Sequence, residues 1–237
     1  MDTVTAGCKI NLGLRITGKR TDGYHEIDSI FWPLPEPHDT MKLRLLPYSG
    51  ITLHCDATEV CPTDNTLTKA YTAMAEFVDE IPGVEVNLYK GIPSGAGLGG
   101  GSSDGAALLS WLNKNILHPL PDRMLAQVAL RAGADMPFFL QPFPCHVSGI
   151  GDKLTPITIP SISGRHLVLV CPAIHASTPQ AYEDYDKRQT ILNPRNSLTN
   201  SDCRHKKTFP VMKQFMPDLY NDLENVVLVR HQQIAIL

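Results

Sequence analysis

The residues with the clearest chemical use are crowded into one run, Pro93-Ser94-Gly95-Ala96-Gly97-Leu98-Gly99-Gly100-Gly101-Ser102-Ser103-Asp104-Gly105-Ala106-Ala107. Glycines, lacking a Cβ, let consecutive backbone N–H groups converge on an anion. A helix starting behind them adds unpaired amides and about half a unit of positive charge. The run therefore reads as a phosphate cradle, with Ser102 and Ser103 able to offer hydroxyls to phosphate or to a phosphate-bound cation. It is not a P-loop, because no lysine follows the glycines, and a dinucleotide fingerprint would sit in a parallel strand and helix alternation that this sequence lacks. The bland alternative is a flexible linker with Ser102 or Ser103 as an ordinary helix cap.

Two further groups have the right types for phosphoryl chemistry. Transfer of a γ-phosphoryl group needs a base or orienting group for the attacking hydroxyl, cations for the developing charge, and in-line positioning. Asp135, within Gly133-Ala134-Asp135-Met136-Pro137-Phe138-Phe139, can supply the first, and Lys9, within Ala6-Gly7-Cys8-Lys9-Ile10-Asn11-Leu12, the second. Spacing alone equally allows Asp135 to cap the Pro-Phe-Phe turn and Lys9 to be a solvated strand lysine.

These groups need elements to hold them. Ile10, Leu12, Leu14 and Ile16 alternate with Lys9, Asn11, Gly13 and Arg15, the period of a strand with one apolar face, so Lys9 and Asn11 point the same way. Further strands are predicted around 41–46, 51–55 and 84–88, in a mainly antiparallel sheet, and an apolar one at 167–170. Leu67, Ala70, Tyr71, Met74 and Phe77 recur at helical spacing after Asp64, an expected N-cap. A second helix is predicted from about Ser103 and a third from Asp122, stopping at Gly133. A loop-rich stretch beyond Gly151 marks a domain boundary near 157, and 187–210 reads as a long surface connection.

Composition narrows the class. Among 237 residues, 43% are hydrophobic and 19% charged, enough apolar surface to offset the entropy of ordering the chain, so disorder is excluded. A formal net charge of -3 argues against a general nucleic-acid binder, and any anion must be met locally. The six cysteines, Cys8, Cys55, Cys61, Cys145, Cys171 and Cys203, show no disulfide or zinc-ligand spacing and read as reduced. No apolar run approaches the roughly 18 residues of a membrane span, and the amino terminus lacks the layout of a signal peptide, so a cytoplasmic protein is expected. Repeats are absent.

The glycine run resembles the second signature of the GHMP small-molecule kinases, and five other segments extend the similarity. These are the run around Lys9, Lys19-Arg20-Thr21-Asp22-Gly23-Tyr24-His25, Asp64-Asn65, and His175-Ala176-Ser177-Thr178-Pro179-Gln180-Ala181-Tyr182, alongside the Asp135 motif. Where the family has Pro-Ala or a similar pair before the lysine, this chain has Gly7-Cys8, a small-for-small change. The resemblance implies an α+β fold, with a ribosomal-protein-S5-like nucleotide-binding and catalytic domain over 1–157 and a smaller ferredoxin-like α/β-sandwich domain over 158–237 for substrate. The alcohol is then expected in the cleft between them, ATP as phosphoryl donor, and Mg²⁺ alongside it.

By the same resemblance Asp135 is the general base, and Lys9 stabilises transferred charge and favours the ionised form of the base or of the substrate hydroxyl. Pro93, Ser94, Gly95, Ala96, Gly97, Leu98, Gly99, Gly100, Gly101, Ser102 and Ser103 hold the nucleotide phosphates, and Asn65 lies near adenine. Asn11 bonds the substrate alcohol or Asp135. Tyr24 and Tyr182 sandwich a cytosine ring, His25 reads its edge and Thr178 lies close by, which implies a substrate carrying a cytidine diphosphate group. His146 and His175 read as structural. Two rival readings stay open: a family member acting on a non-nucleotide alcohol such as mevalonate or homoserine, and a catalytically silent nucleotide-binding protein. Family members continue for about 50 residues beyond Asn221-Asp222-Leu223-Glu224, through a helix and a second glycine-rich turn. This sequence ends at Leu237, so a truncated or incomplete sequence is expected.

Overall fold

A computed structural model describes residues 1–236 except 59, 142, 163, 173 and 193–219. The described elements are β1 (Asp2–Lys19), β2 (His25–Leu46), β3 (Ile51–Cys55), α1 (Thr66–Ala75), β4 (Gly83–Tyr89), α2 (Gly100–Asn115), α3 (Asp122–Ala132), β5 (Cys145–Gly149), β6 (Lys153–Pro156), α4 (Thr178–Leu192) and α5 (Glu224–Arg230). They gather into two compact units interleaved along the chain, one of 1–9, 33–93 and 98–142, the other of 10–32, 94–97 and 143–237.

In the first unit, the alternating side chains Met41 and Leu43 of β2 and Val84, Val86 and Leu88 of β4 put one apolar face toward three helices. Leu67, Ala70 and Met74 of α1, Leu108, Leu109 and Leu112 of α2, and Val128 and Ala129 of α3 cover that face, as their helical spacing requires. Each of these larger side chains contributes about 1.5–3 kcal/mol by leaving water. The expected antiparallel arrangement holds for β2 with β4, registered Met41 with Leu88 and Leu45 with Val84. The third strand corrects it: β3 runs parallel to β4, pairing Ile51 with Val84.

In the second unit, β2 pairs antiparallel with β5 and β5 with β6, Ile27 facing Gly149 and Val147 facing Leu154. Asp222 fastens the chain to β1, its carboxylate accepting from the Ile16 N–H at 2.6 Å. Arg230 of α5 grips Asp184 of α4 through two hydrogen bonds of 2.6 and 2.8 Å.

Several expected boundaries move for local reasons. Asn65, not Asp64, caps α1, its side chain accepting from the Thr68 N–H at 2.9 Å. α2 starts inside the glycine run at Gly100, ahead of the expected Ser103, and neither serine is its cap. α3 ends before Gly133 as expected. Residues 167–170 form no strand and Val168 is exposed, since among the described residues no strand pairs with this apolar segment. The connection expected over 187–210 is helical as far as Leu192, and its remainder lies outside the described residues. The alternation in β1 also misreads depth: Cys8 and Lys9 are buried, while Ile10 and Leu12 are only partly so. Among the described residues Cys8, Cys55, Cys61, Cys145 and Cys171 form no disulfide, and Cys203 lies outside them. No described helix is long and apolar enough to cross a membrane.

Candidate active site

The glycine run owes its path to left-handed backbone at three of its glycines, with φ of +69° at Gly95, +73° at Gly97 and +74° at Gly99. Gly99 is needed twice over. Its conformation strains any L side chain, and a Cβ there would sit 2.8 Å from Phe139 and 3.2 Å from Lys9. Gly99 then opens α2, whose first amides emerge directly behind the loop.

Lys9 is tied to this loop by its main chain, its N–H donating to the Leu98 carbonyl at 2.9 Å. Its side chain, only 8% exposed, reaches Asp135 at 3.7 Å. Asp135 precedes the 3-10 turn Met136–Leu140 without capping it, so its carboxylate is not spent on the turn. The two residues named for phosphoryl chemistry are therefore brought together beside the glycine loop, and the bland reading of each is displaced. Asn65 has local employment at both ends: Oδ1 caps α1, and Nδ2 donates to the carbonyls of Cys61 and Pro62 at 2.8 and 3.2 Å. Ser103 is buried in the first turn of α2, and Ser102 is partly exposed.

Sequence reasoning missed an ionic cluster beneath this loop. Lys90 donates to Asp39 and, at 2.9 Å, to Asp104 of α2, while Asp39 accepts the N–H groups of Gly91 and Ile92 at 2.7 and 2.8 Å. The strand end that enters the loop is thus bolted to the helix that leaves it. Asp39 and Asp104 are both buried, and Asp104 Oδ1 has no hydrogen-bond partner. Burial pushes the Asp104 carboxyl up to about 7; Lys90 opposes that rise and Asp39 adds to it. Burial alone would lower the Lys90 ammonium, but the two carboxylates outweigh it and hold it above its ordinary value. No local spacing announces the cluster, although Asp104 lies in the quoted run and Lys90 just before it.

In the second unit, the turn before β2 is set by Gly23, with φ of +90°, by the Arg20 N–H donating to the Tyr24 carbonyl at 2.7 Å, and by Asp22 accepting from the Tyr24 N–H. It turns Tyr24 outward, 56% exposed, and His25 inward. The His25 ring stacks on Tyr182 at 4.7 Å and 22°, and meets the edge of Tyr185 at 6.5 Å. Burial raises the Tyr185 phenol to about 12, with help from Asp222. Asp186, one helical turn beyond Tyr182, accepts from His25 Nε2 at 2.7 Å and from Lys19 at 2.6 Å. The i, i+4 spacing of Tyr182 and Asp186 was the available signal for this pairing. Thr178 opens α4 and is exposed. Asn11 donates to Ser29 at 3.0 Å, and Ser29 to the Gly13 carbonyl at 2.7 Å. Of the two histidines read as structural, His146 bonds Asp28 at 2.6 Å across paired strands. His175 lies against Gly95, where the Ala176 N–H donates to the Gly95 carbonyl at 3.1 Å.

Known proteins resemble this chain along its whole length. A family model described as the GHMP kinases N terminal domain matches residues 65–141. A 4-diphosphocytidyl-2-C-methyl-D-erythritol kinase of Lawsonia intracellularis is 41% identical over 249 residues, covering 99% of this chain and 79% of that protein. One of Nitratidesulfovibrio vulgaris is 42% identical over 236 residues, covering 99% of this chain and 81% of its own length. The crystal structure of a 4-(cytidine 5'-diphospho)-2C-methyl-D-erythritol kinase shares the fold, with a TM-score of 0.66 at 24% identity, over 99% of this chain and 80% of that one.

Proposed function

Because the chain belongs to the 4-diphosphocytidyl-2-C-methyl-D-erythritol kinase family, within the GHMP kinases, we propose that it phosphorylates the 2-hydroxyl of 4-diphosphocytidyl-2-C-methyl-D-erythritol with ATP, in non-mevalonate isoprenoid precursor synthesis. The observation that carries this reading is the double tie of Lys9, main chain to Leu98 of the glycine loop and side chain to Asp135. A base and a cation beside a phosphate cradle are the parts that transfer to an alcohol requires.

Asp135 takes the proton of the attacking hydroxyl, and Lys9 stabilises charge on the transferring group. The backbone amides from Pro93 to Ser103 hold the phosphates of ATP. With its side chain committed to the helix cap, Asn65 approaches adenine only through its loop. Residues 1–157 supply this nucleotide and catalytic machinery, and 158–237 contribute to substrate binding. Asn11 orients the alcohol. Tyr24 and Tyr182 hold the cytosine ring, and Thr178 lies at the same helix end as Tyr182.

The donor set fits Mg²⁺ as an ion carried on ATP. Asp104 is committed to Lys90, and among the described residues no three His, Cys, Asp or Glu side chains gather as a metal site. Mg²⁺ keeps phosphate oxygens and water as most of its ligands, which leaves Ser102 as the protein hydroxyl that would hold it. When bound, it neutralises charge on the β- and γ-oxygens. The protein acts in the cytoplasm on a small molecule, without nucleic acid or membrane.

The test is phosphoryl transfer from ATP to this alcohol, compared with homoserine and mevalonate. Turnover of the cytidine-bearing alcohol with neither of the others is the expected result. Turnover of a simple alcohol, or ATP binding without transfer to any, overturns the reading.

A further inference from the structure

Ser29 is a buried hydroxyl with no part in the chemistry proposed for Lys9, Asp135 and Asn11. It is 1% exposed on β2 and shares a strand face with Ile27 and Phe31, both buried. A hydroxyl taken from water onto an apolar face is costly unless it is hydrogen-bonded, and this one is bonded twice. It donates to the Gly13 carbonyl at 2.7 Å and accepts from Asn11 Nδ2 at 3.0 Å. Gly13 offers that carbonyl from backbone at φ +91°, a conformation that strains other residues. The direction of the relay is forced from this end. A backbone carbonyl only accepts, so the single hydroxyl proton of Ser29 is spent on Gly13, and the Ser29 oxygen is left to accept from Asn11. The end of the Asn11 amide at Ser29 is therefore the nitrogen, and the other end is Oδ1. A reversed amide would set oxygen against oxygen at Ser29.

We propose that Ser29 is a positioning residue for the phosphoryl transfer: it fixes the Asn11 amide so that Oδ1 accepts from a substrate hydroxyl beside the one that reacts. The inference rests on the reading that Asn11 orients the alcohol. Asp135 takes the proton of the reacting hydroxyl, and a second acceptor aimed at that proton would compete with it. Hydroxyls on the neighbouring carbons of the erythritol chain have protons to give without that conflict. Oδ1 carries two lone pairs, so it accepts from such a hydroxyl alongside any other bond it makes. Without the Ser29 oxygen to receive Nδ2, nothing in this relay distinguishes one amide orientation from its reverse, and part of the positioning is lost. A single neutral hydrogen bond of this kind is worth about 3- to 10-fold.

The test is a double-mutant cycle on kcat/KM for 4-diphosphocytidyl-2-C-methyl-D-erythritol, with KM for ATP followed alongside. Ser29→Ala and Asn11→Ala are each expected to lower kcat/KM about 3- to 10-fold while KM for ATP holds. The double variant is expected to fall no further than Asn11→Ala alone, because Ser29 acts through Asn11. Ser29→Thr, which keeps the hydroxyl, is expected to restore most of the loss. Full kcat/KM in Ser29→Ala overturns the proposal while leaving the role of Asn11 standing. So does a loss that persists in the Asn11→Ala background, or one that raises KM for ATP equally, since either marks Ser29 as structural only. Undiminished kcat/KM in Asn11→Ala overturns the reading of Asn11 itself, and the proposal with it. The side-chain amide of Asn11 gives a measurement that needs no variant to fold. By proton and nitrogen-15 NMR of the unaltered protein, one of its two Nδ2 protons is expected to exchange slowly with water. Two freely exchanging protons would mean that the relay does not form, and overturn the proposal.

Discussion

Two ionic clusters in this protein invert one another. Under the glycine loop, one lysine bridges two carboxylates: Lys90 between Asp39 and Asp104, the acids buried and the sum negative when all are charged. In the second unit, one carboxylate bridges two donors: Asp186 between Lys19 and His25, partly exposed and balanced. The carboxyls respond in opposite directions, Asp104 rising to about 7 and Asp186 falling below its ordinary range. Burial with a second acid makes a proton easy to keep, and paired donors make it easy to lose. The first cluster therefore braces backbone around the loop, and the second ties one imidazole ring to α4.

The largest effect expected on the phosphate side is catalytic. Asp135→Asn should lower kcat about 10²- to 10⁴-fold with ATP affinity nearly intact, because the base is lost while the loop stays whole. Steady-state kinetics with calorimetric ATP titration checks this, and a variant keeping most of its turnover removes Asp135 from its role. Next comes the brace. Lys90→Met leaves two buried acids without a counter-charge and should cost about 3–5 kcal/mol of stability in urea unfolding. The corresponding change on the other side, Lys19→Met, removes one of two donors from a partly exposed carboxylate and should cost under about 1 kcal/mol. Equal costs would dissolve the contrast between the clusters.

On the base side, replacing Tyr24 or Tyr182 by Ala should raise KM for the cytidine-bearing substrate by about 10- to 100-fold, with little change for ATP, since stacking on an aromatic ring is worth about 1–3 kcal/mol per base. The two variants need not behave alike. Tyr24 is an open ring, whereas Tyr182 also packs on His25, so only Tyr182→Ala should disturb the His25 resonances. KM values that rise together for both substrates would remove the base from this place.

How much of this could be read beforehand follows from distance along the chain. The glycine loop was legible from its residue types, whereas spacing alone left Asp135 a turn cap and Lys9 a solvated lysine, and only the family resemblance of their runs pointed to the pair that the structure brings together. α1, α3, β3 and β4 were legible because their apolar periods match the faces they bury. The ionic clusters were not, since Asp39, Lys90 and Asp104 meet only once β2, β4 and α2 are assembled. Lys19, His25 and Asp186 likewise come from separate segments. The Asn65 cap was misplaced by one residue because Asp64 is as good a capping type, and only the bond to Thr68 decides. Residues 187–192 hid a helix because their polar sequence has no apolar stripe, and Asp184 with Arg230 supplies a tertiary contact to α4 instead.

The most diagnostic effect is the pH dependence of Asp104. Its folded value of about 7 lies above the roughly 3.9 of an unfolded aspartate, so between those values the native state holds a proton that the unfolded state has released. Stability from this group is therefore complete below pH 4 and falls as pH rises through 7. Integrated from pH 6 to 8, a value near 7 corresponds to a loss on the order of 1 kcal/mol. Asp104→Asn resembles the protonated acid in shape and charge: Lys90 keeps Asp39 as its counter-ion, and no net negative charge remains in the buried cluster. Relative to the unaltered protein, the variant should thus gain on the order of 1 kcal/mol between pH 6 and pH 8, read from urea unfolding at the two values. Asp186→Asn should show no such gain, because the folded value of Asp186 is lowered and its contribution is already complete across that window. A gain at Asp186 as well, or none at Asp104, would mean that the two clusters do not differ in the way their burial and composition require.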